Sequence, residues 1–376
     1  SDPDAPKPTI EATVENRVAS EEYISPCSLD TDGNGNVYVV DATGGSVMLL
    51  QNGDIAKTLS IEGANAVKYA DGKVYIASGG LGGKLLVYNS DLSFKEKEYS
   101  VGHTPTDIAS FGGDIYVANR FSNSVSKISE GIVSHISVGR EPVSLAVQNG
   151  KVYVACHLPD DAANGDKVSA SVYVINGKSA KEIVLENGSG GVKHIEADPN
   201  SSYLFVSTVV ARYQYPTTQL DGGWINTNGI AVIDSNDDSY INTFLLDDVT
   251  LGSPSPWGIT FSDKSVFVSL SGSAEIISLP YGELMERFEA NKDNTELINK
   301  LGFVQDIRTR TKLSGEGVRD IAFEDGKLYC AQYFSGDIAV LDNALAESTI
   351  LLGTQPAADM VRLGETLWYD ATKCYQ

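Results

Sequence analysis

The sequence predicts an all-β chain: a seven-bladed β-propeller of four-stranded antiparallel blades, with a short C-terminal helix. Three observations carry that prediction. Seven apolar strands recur with an aromatic at a fixed place and a small or polar end, beginning Val37-Tyr38-Val39-Val40-Asp41 and Val74-Tyr75-Ile76-Ala77-Ser78 and ending Leu328-Tyr329-Cys330-Ala331-Gln332. Each is preceded by a turn rich in Gly, Asn or Asp, such as Asp71-Gly72 or Asn149-Gly150, residues that supply the positive φ a tight hairpin needs. Ahead of each turn lies a small or Pro-containing entry, such as Pro105-Thr106-Asp107-Ile108 or Pro256-Trp257-Gly258-Ile259. Self-similarity at this period is the signature of a repeat fold, and short β-rich units specify propeller blades.

Within a unit the entry opens an inner strand, the aromatic strand returns, and two further strands follow. Gly45-Ser46-Val47-Met48-Leu49-Leu50 is a third strand, and Val133-Ser134-His135-Ile136-Ser137-Val138-Gly139 a fourth that leads to the next entry. The aromatic anchors are Tyr38, Tyr75, Tyr116, Tyr153, Phe205, Phe267 and Tyr329. They are 37 to 41 residues apart at first, then 52, 62 and 62, so blades four, five and six carry insertions. Residues 157–167 and 210–228 join second to third strands and are expected on one face, at the rim of the central channel. Residues 284–313 read partly as helix, because Leu284, Met285, Phe288, Leu297, Ile298 and Leu301 have roughly helical spacing. Long loops on a rigid scaffold are where function concentrates.

The expected organisation is a flexible tether over residues 1–9, the propeller over 10–355 and a helical tail over 356–376. Ile10–Val14 is a candidate outer strand for the last blade. Pro356 to Tyr369 could open an eighth unit, but Met360, Val361, Leu363, Leu367 and Trp368 suit one face of a helix, which is the expectation here. The 28 Lys and Arg against 50 Asp and Glu give a net charge of −22, which repels phosphate backbones and argues against nucleic acid as a partner. No apolar run is long enough to span a membrane. The polar, Pro-rich start suits a processed, exported chain, including one with an N-terminal lipid anchor, in the cell envelope. Cys27, Cys156, Cys330 and Cys374 form no C-x-x-C and are expected as free thiols.

Several segments resemble a known group. The blades look like those of the YVTN-repeat, surface-layer-like seven-bladed propellers. Pro216-Thr217-Thr218-Gln219, Gly223-Trp224-Ile225-Asn226-Thr227-Asn228, Pro256-Trp257-Gly258, Val318-Arg319-Asp320-Ile321 and Ala331-Gln332-Tyr333-Phe334-Ser335 resemble the members in which the propeller precedes a di-haem domain similar to bacterial cytochrome c peroxidases. On that resemblance, Gly364–Gln376 is similar to the first helix of the haem domain, the stump of a lost or truncated module. No C-x-x-C-H occurs in these 376 residues, so c-type haem cannot attach here by that motif, and no cofactor is expected.

Candidate ligand-binding residues fall in two groups. At the channel, the entries bring Lys193, Trp257 and Arg319 to one level, and His194 and Asp107 to the next. Two cations in so acidic a chain, with Trp257 and Arg212, could clamp an anionic or aromatic ligand; the competing reading pairs Arg319 with Asp320 or Asp107 to close the ring. On the loops, Trp224 with Asn226 and Asn228 could stack and hydrogen-bond a ligand, or the loop could fold back on those amides. Asp30-Thr31-Asp32-Gly33-Asn34-Gly35 opens like a calcium loop, but the strand that follows carries Asp41 away, so a hairpin turn is expected. No residues are assigned to catalysis or to a metal. The function expected is that of a monomeric, non-catalytic envelope propeller binding a protein or small ligand through its loop-rich face and channel. The alternatives are the propeller module of a cytochrome c peroxidase-like redox protein and a metal-dependent hydrolase or lyase.

Overall fold

The computed structural model describes residues 23–373 except 217 and 219–223. Seven antiparallel sheets follow one another along the chain, each built from one contiguous stretch. Blade 1 comprises the strands Pro26–Thr31, Asn36–Asp41, Ser46–Gln51 and Asp54–Ser60. Blades 2, 3 and 4 begin at inner strands Ala64–Ala70, Pro105–Phe111 and Pro142–Gln148 and end at Ser100, Ser137 and Val184. Blades 6 and 7 begin at Pro256–Phe261 and Val318–Glu324 and end at Lys312 and Leu351. Blade 5 departs from the pattern. Its inner edge is two short pieces, Ser189–Gly190 and Ile195–Ala197, both paired with Tyr203–Ala211.

The aromatic strands read as near-continuous apolar runs because both of their faces are buried. Alternation sends Tyr38 and Val40 into a cluster with blade 2, and Val37 and Val39 into a cluster with blade 7. The core is accordingly divided into seven clusters, one between each pair of adjacent blades. In every unit the repeated aromatic points toward the following blade: Tyr75 packs with blade 3, Phe267 with blade 7, and Tyr329 closes the circle against blade 1. Two of the phenols also reach across. Tyr38 Oη donates to the carbonyl of Ser90 at 2.8 Å and Tyr153 Oη to Asp238 Oδ1 at 2.5 Å.

Nearer the axis, inner-strand side chains fasten four of the blades to the next. Ser28 Oγ accepts from Val67 N at 3.3 Å, Asp107 Oδ2 from Leu145 N at 2.7 Å, Ser144 Oγ from Ile195 N at 3.2 Å and Asp320 Oδ2 from Leu29 N at 2.9 Å. The last of these lies on the seam between blades 7 and 1. That seam is also held by Gln355, which exchanges two hydrogen bonds with the backbone of Ile24. The outer strand of blade 7 is Glu347–Leu351; the segments Ile10–Val14 and 1–9 lie outside the described residues.

Among the described residues two α-helices accompany the strands. Helix α1, Tyr281–Glu289, and the 3-10 turn Leu297–Asn299 belong to the blade 6 insertion. The insertion buries Leu284, Phe288, Leu297, Phe303 and Val304 against Phe244 of blade 5. Helix α2, Met360–Tyr369, forms where the helical spacing predicts one, with Asp359 as its N-cap accepting from Arg362 N. It does not present its apolar face to the propeller. Met360 is 82% and Trp368 85% exposed, whereas Arg362 is 4% exposed. The buried guanidinium donates to Ser25 Oγ at 2.9 Å and to the Tyr333 carbonyl at 2.8 Å, and lies over Tyr23, Tyr333 and Phe334. The helix is therefore seated by one caged cation. No helix of the described residues is long and apolar enough to cross a membrane.

Candidate functional site

The inner strands converge with their entry ends at one face, which also carries the loops from second to third strands, the loops between blades, and helix α2. Lys193 reaches this mouth because the blade 5 inner strand breaks at residues 191–194, where Gly191 takes φ +59°. Trp257 and Arg319 come from the adjoining inner strands of blades 6 and 7. They sit side by side because Gly258 lets those strands approach: a Cβ there would stand 2.9 Å from the Arg319 carbonyl. Ser269 Oγ donates to that same carbonyl at 2.6 Å.

Both cations lean on one indole. Lys193 Nζ is 4.5 Å and Arg319 Cζ 4.7 Å from the Trp257 ring centroid. The guanidinium also lies 3.4 Å from the Tyr333 centroid and 5.6 Å from that of Tyr369. Stacking uses the faces of a guanidinium and leaves its N–H fork in plane. Among the described residues Arg319 donates no hydrogen bond, its Nε is buried without a partner, and neither it nor Lys193 forms an ion pair. The pairing of Arg319 with Asp320 or Asp107 is thus absent, because both carboxylates are spent on backbone N–H groups: Asp107 on Ile108 and Leu145, Asp320 on Ile321 and Leu29.

Electrostatics at the mouth follow from this crowding. Burial first, then the charges of Arg120 and Arg319, push the Lys193 ammonium down to about 8, against an opposing pull from Glu141. Glu141 is itself held by Arg120, at 2.9 and 2.7 Å. His157 bonds through Nδ1 to the Val192 carbonyl at 2.7 Å, and burial, with Lys193 beside it, drops it to about 4.

Deeper in the channel the charges are mixed. Burial raises Asp320 to about 6 and also raises Asp107. Burial acts to lower His194, but its bond to Glu196 at 3.2 Å and the nearby Asp320 and Asp107 carboxylates outweigh that and raise it. Lys68 pairs with Asp30 at 3.3 Å. Asp107 and Asp320 are fastenings between blades, and among the described residues no group of three or more His, Cys, Asp and Glu is placed to share a metal ion.

The remaining sequence candidates lie elsewhere. Arg212 is not part of a clamp with Lys193 and Trp257. Its guanidinium donates to Asn299 Oδ1, to Thr227 Oγ1 and to the Ile298 carbonyl, tying the blade 5 loop to the blade 6 insertion. Trp224 rests over Gly252, Asn228 bonds to Asp247, and Asn226 is exposed at the end of its strand. Of the two Asn amides on this loop, that of Asn228 is engaged by Asp247, outside the loop, while Asn226 faces solvent. Thr217 and residues 219–223 lie outside the described residues. Asp32 accepts from Asn34 N and Asn36 N as a hairpin turn does. Cys27, Cys156 and Cys330 are free thiols, and Cys374 lies outside the described residues. Sequence reasoning missed Tyr333 and Tyr369 as walls around Arg319. Tyr333, the residue just past the blade 7 aromatic strand, was the available signal.

No family model matches the chain. Hydrazine synthase subunit beta of Kuenenia stuttgartiensis is 21% identical over 203 residues, a match spanning 52% of this chain and about half, 52%, of that protein. A solved Kuenenia stuttgartiensis hydrazine synthase chain superposes with a TM-score of 0.76 at 17% identity, over 89% of this chain and 99% of that one. Virginiamycin B lyase from Staphylococcus aureus superposes with a TM-score of 0.61 at 12% identity, over 85% and 97%. This chain is a seven-bladed propeller of the same fold. At these identities the structural likeness carries the fold and leaves the chemistry to the side chains.

Proposed function

We propose that this chain is a non-catalytic binding propeller of the bacterial cell envelope, which takes a partner protein or small ligand at the channel mouth of its loop-rich face. The observation that carries the reading is the pair of uncompensated cations, Lys193 and Arg319, on the single indole of Trp257. A buried guanidinium nitrogen without an acceptor, as Arg319 Nε is, is costly unless something supplies one. The similar Kuenenia protein is named as a subunit of hydrazine synthase, which supports a partner protein as one form of the ligand. A lyase reading draws on shared fold alone and has no metal-ligand set among the described residues. A redox reading needs haem from elsewhere, since the 376 residues contain no C-x-x-C-H.

The test is native mass spectrometry of protein isolated gently from its own cells, wild type beside a Trp257→Ala, Arg319→Ala double variant. A bound mass present on the wild type and lost from the folded variant is expected. The same bound mass on both, or none on either, refutes the proposal. Fractionation of those cells tests the envelope location, and recovery in the cytoplasmic fraction would refute it.

A further inference from the structure

Resting on that binding reading, the geometry points to a small monocarboxylate as the ligand of the channel mouth, seated on the in-plane N–H fork of Arg319 and the ammonium of Lys193. Three features of the site select this chemistry. The first is shape. Trp257 and Tyr333 lie against the Arg319 guanidinium, at 4.7 and 3.4 Å from Cζ to the ring centroids, with Tyr369 and Phe334 further out at 5.6 and 5.9 Å. Aromatic rings supply a guanidinium with no in-plane hydrogen-bond acceptor, and its parallel N–H donors match the two oxygens of a carboxylate. The second is unmet demand. Arg319 Nε is buried and unpaired, and the nearest acid acting on Lys193, Glu141, is already held by two bonds from Arg120.

The third feature is charge. The chain carries −22 overall, so a polyanion is repelled at long range, while two uncompensated cations suit one negative charge. The groups facing Lys193 are Arg319 of blade 7, Arg120 and Glu141 on the blade 3 side, and His157 of blade 4, which is neutral at pH 7. The first two repel the ammonium, and Glu141 only partly offsets them. A bound carboxylate adds the missing counter-charge, so binding draws a proton onto Lys193 wherever that amine is partly neutral. Affinity therefore falls as pH rises through about 8. If the bound complex holds its proton to pH 9 or above, the loss between pH 7 and 9 is about tenfold.

The experiment is isothermal titration of the full chain with benzoate and acetate, against benzamide as the neutral isostere and inorganic phosphate as the multivalent anion. It is run at pH 7, 8 and 9 in HEPES and in Tris, whose different ionisation heats report proton uptake. Benzoate or acetate is expected to bind, with proton uptake near pH 8 and about tenfold weaker affinity at pH 9. Arg319→Gln should abolish binding. Lys193→Arg keeps the charge but does not titrate in this range, so it should bind and lose the pH dependence, with circular dichroism confirming that both variants are folded. Benzamide binding as well as benzoate, phosphate binding better than either carboxylate, or a pH profile unchanged by Lys193→Arg each overturns the inference. So does an absence of carboxylate binding at millimolar concentration. None of these results touches the binding-propeller reading, which stands or falls on the mass bound to wild type and lost from the Trp257, Arg319 double variant.

Discussion

Asp320→Asn should make this protein more stable than wild type at neutral pH and nearly equal to it in acid. The carboxylate sits on the seam between the last blade and the first, accepting from Leu29 N at 2.9 Å and Ile321 N at 3.0 Å. Burial nonetheless raises its pKa to about 6, because two amide bonds do not replace the water lost. A raised carboxyl binds more protons folded than unfolded between its ordinary value of 3.8 and 6. The folded state thus loses stability as pH climbs through that window. At 1.36 kcal/mol per unit the loss comes to about 3 kcal/mol at pH 7, reduced by whatever water the channel admits. The amide that replaces the carboxyl carries no charge at any pH. It leaves one of the two backbone N–H groups facing its NH₂, a deficit of about 1–3 kcal/mol that the protonated acid shares in acid solution. Asp320 also raises His194, so its removal lowers that imidazole and adds a change of the same sign above pH 6. Urea unfolding of both proteins from pH 4 to 7.5 should show the variant gaining about 2–3 kcal/mol on wild type, mostly between pH 4 and 6. Parallel profiles, with the variant weaker by a constant amount, would show that the seam depends on the amide bonds and that burial of the charge is inconsequential.

Arg362→Ala should cost about 2–4 kcal/mol and speed amide exchange in residues 360–369, since it strands the Tyr333 carbonyl, leaves Ser25 Oγ with Thr43 as its hydrogen-bond partner and empties a cage of three rings. Trp368→Glu, on the outward side of the same helix, should move stability by no more than about 0.5 kcal/mol; a large loss would mean that helix α2 packs the other way round. Phe244→Ala, at the junction of blade 5, blade 6 and the α1 insertion, should cost about 3–5 kcal/mol in the same urea assay. Lys193→Met should flatten a rise in wild-type stability between pH 8 and 10, because a depressed amine binds fewer protons folded than unfolded there, and a thermal-melt series against pH reads it.

The blade count and the orientation of the aromatic strands were legible in the sequence because each blade is local: four strands from one contiguous stretch, with hairpin turns stating their own φ. The mouth was half legible. Lys193, Trp257 and Arg319 occupy equivalent entry positions, so the repeat placed them together, yet Arg212 joined them only on the argument that cations are scarce. The structure sends it instead to Ile298 and Asn299, 86 and 87 residues onward, a contact that no repeat register predicts. The Trp224 loop closes on Asp247 and Gly252 for the same reason.

Helix α2 marks the boundary most clearly. Its existence follows from helical spacing and an Asp cap, both properties of a few neighbouring residues. Spacing alone grouped Met360, Val361, Leu363, Leu367 and Trp368 on one helical face, and burial of apolar area is the default driving force that turns such a face inward. The folded chain puts Arg362 inward instead, where Tyr23, Tyr333 and Phe334, drawn from opposite ends of the chain, meet at the ring seam. The sequence by itself determined the blades, since hydrophobic alternation and turn chemistry act over a few residues. Only the tertiary structure decided which charges are satisfied, since a counter-ion is set by distance across the ring and not by distance along the chain.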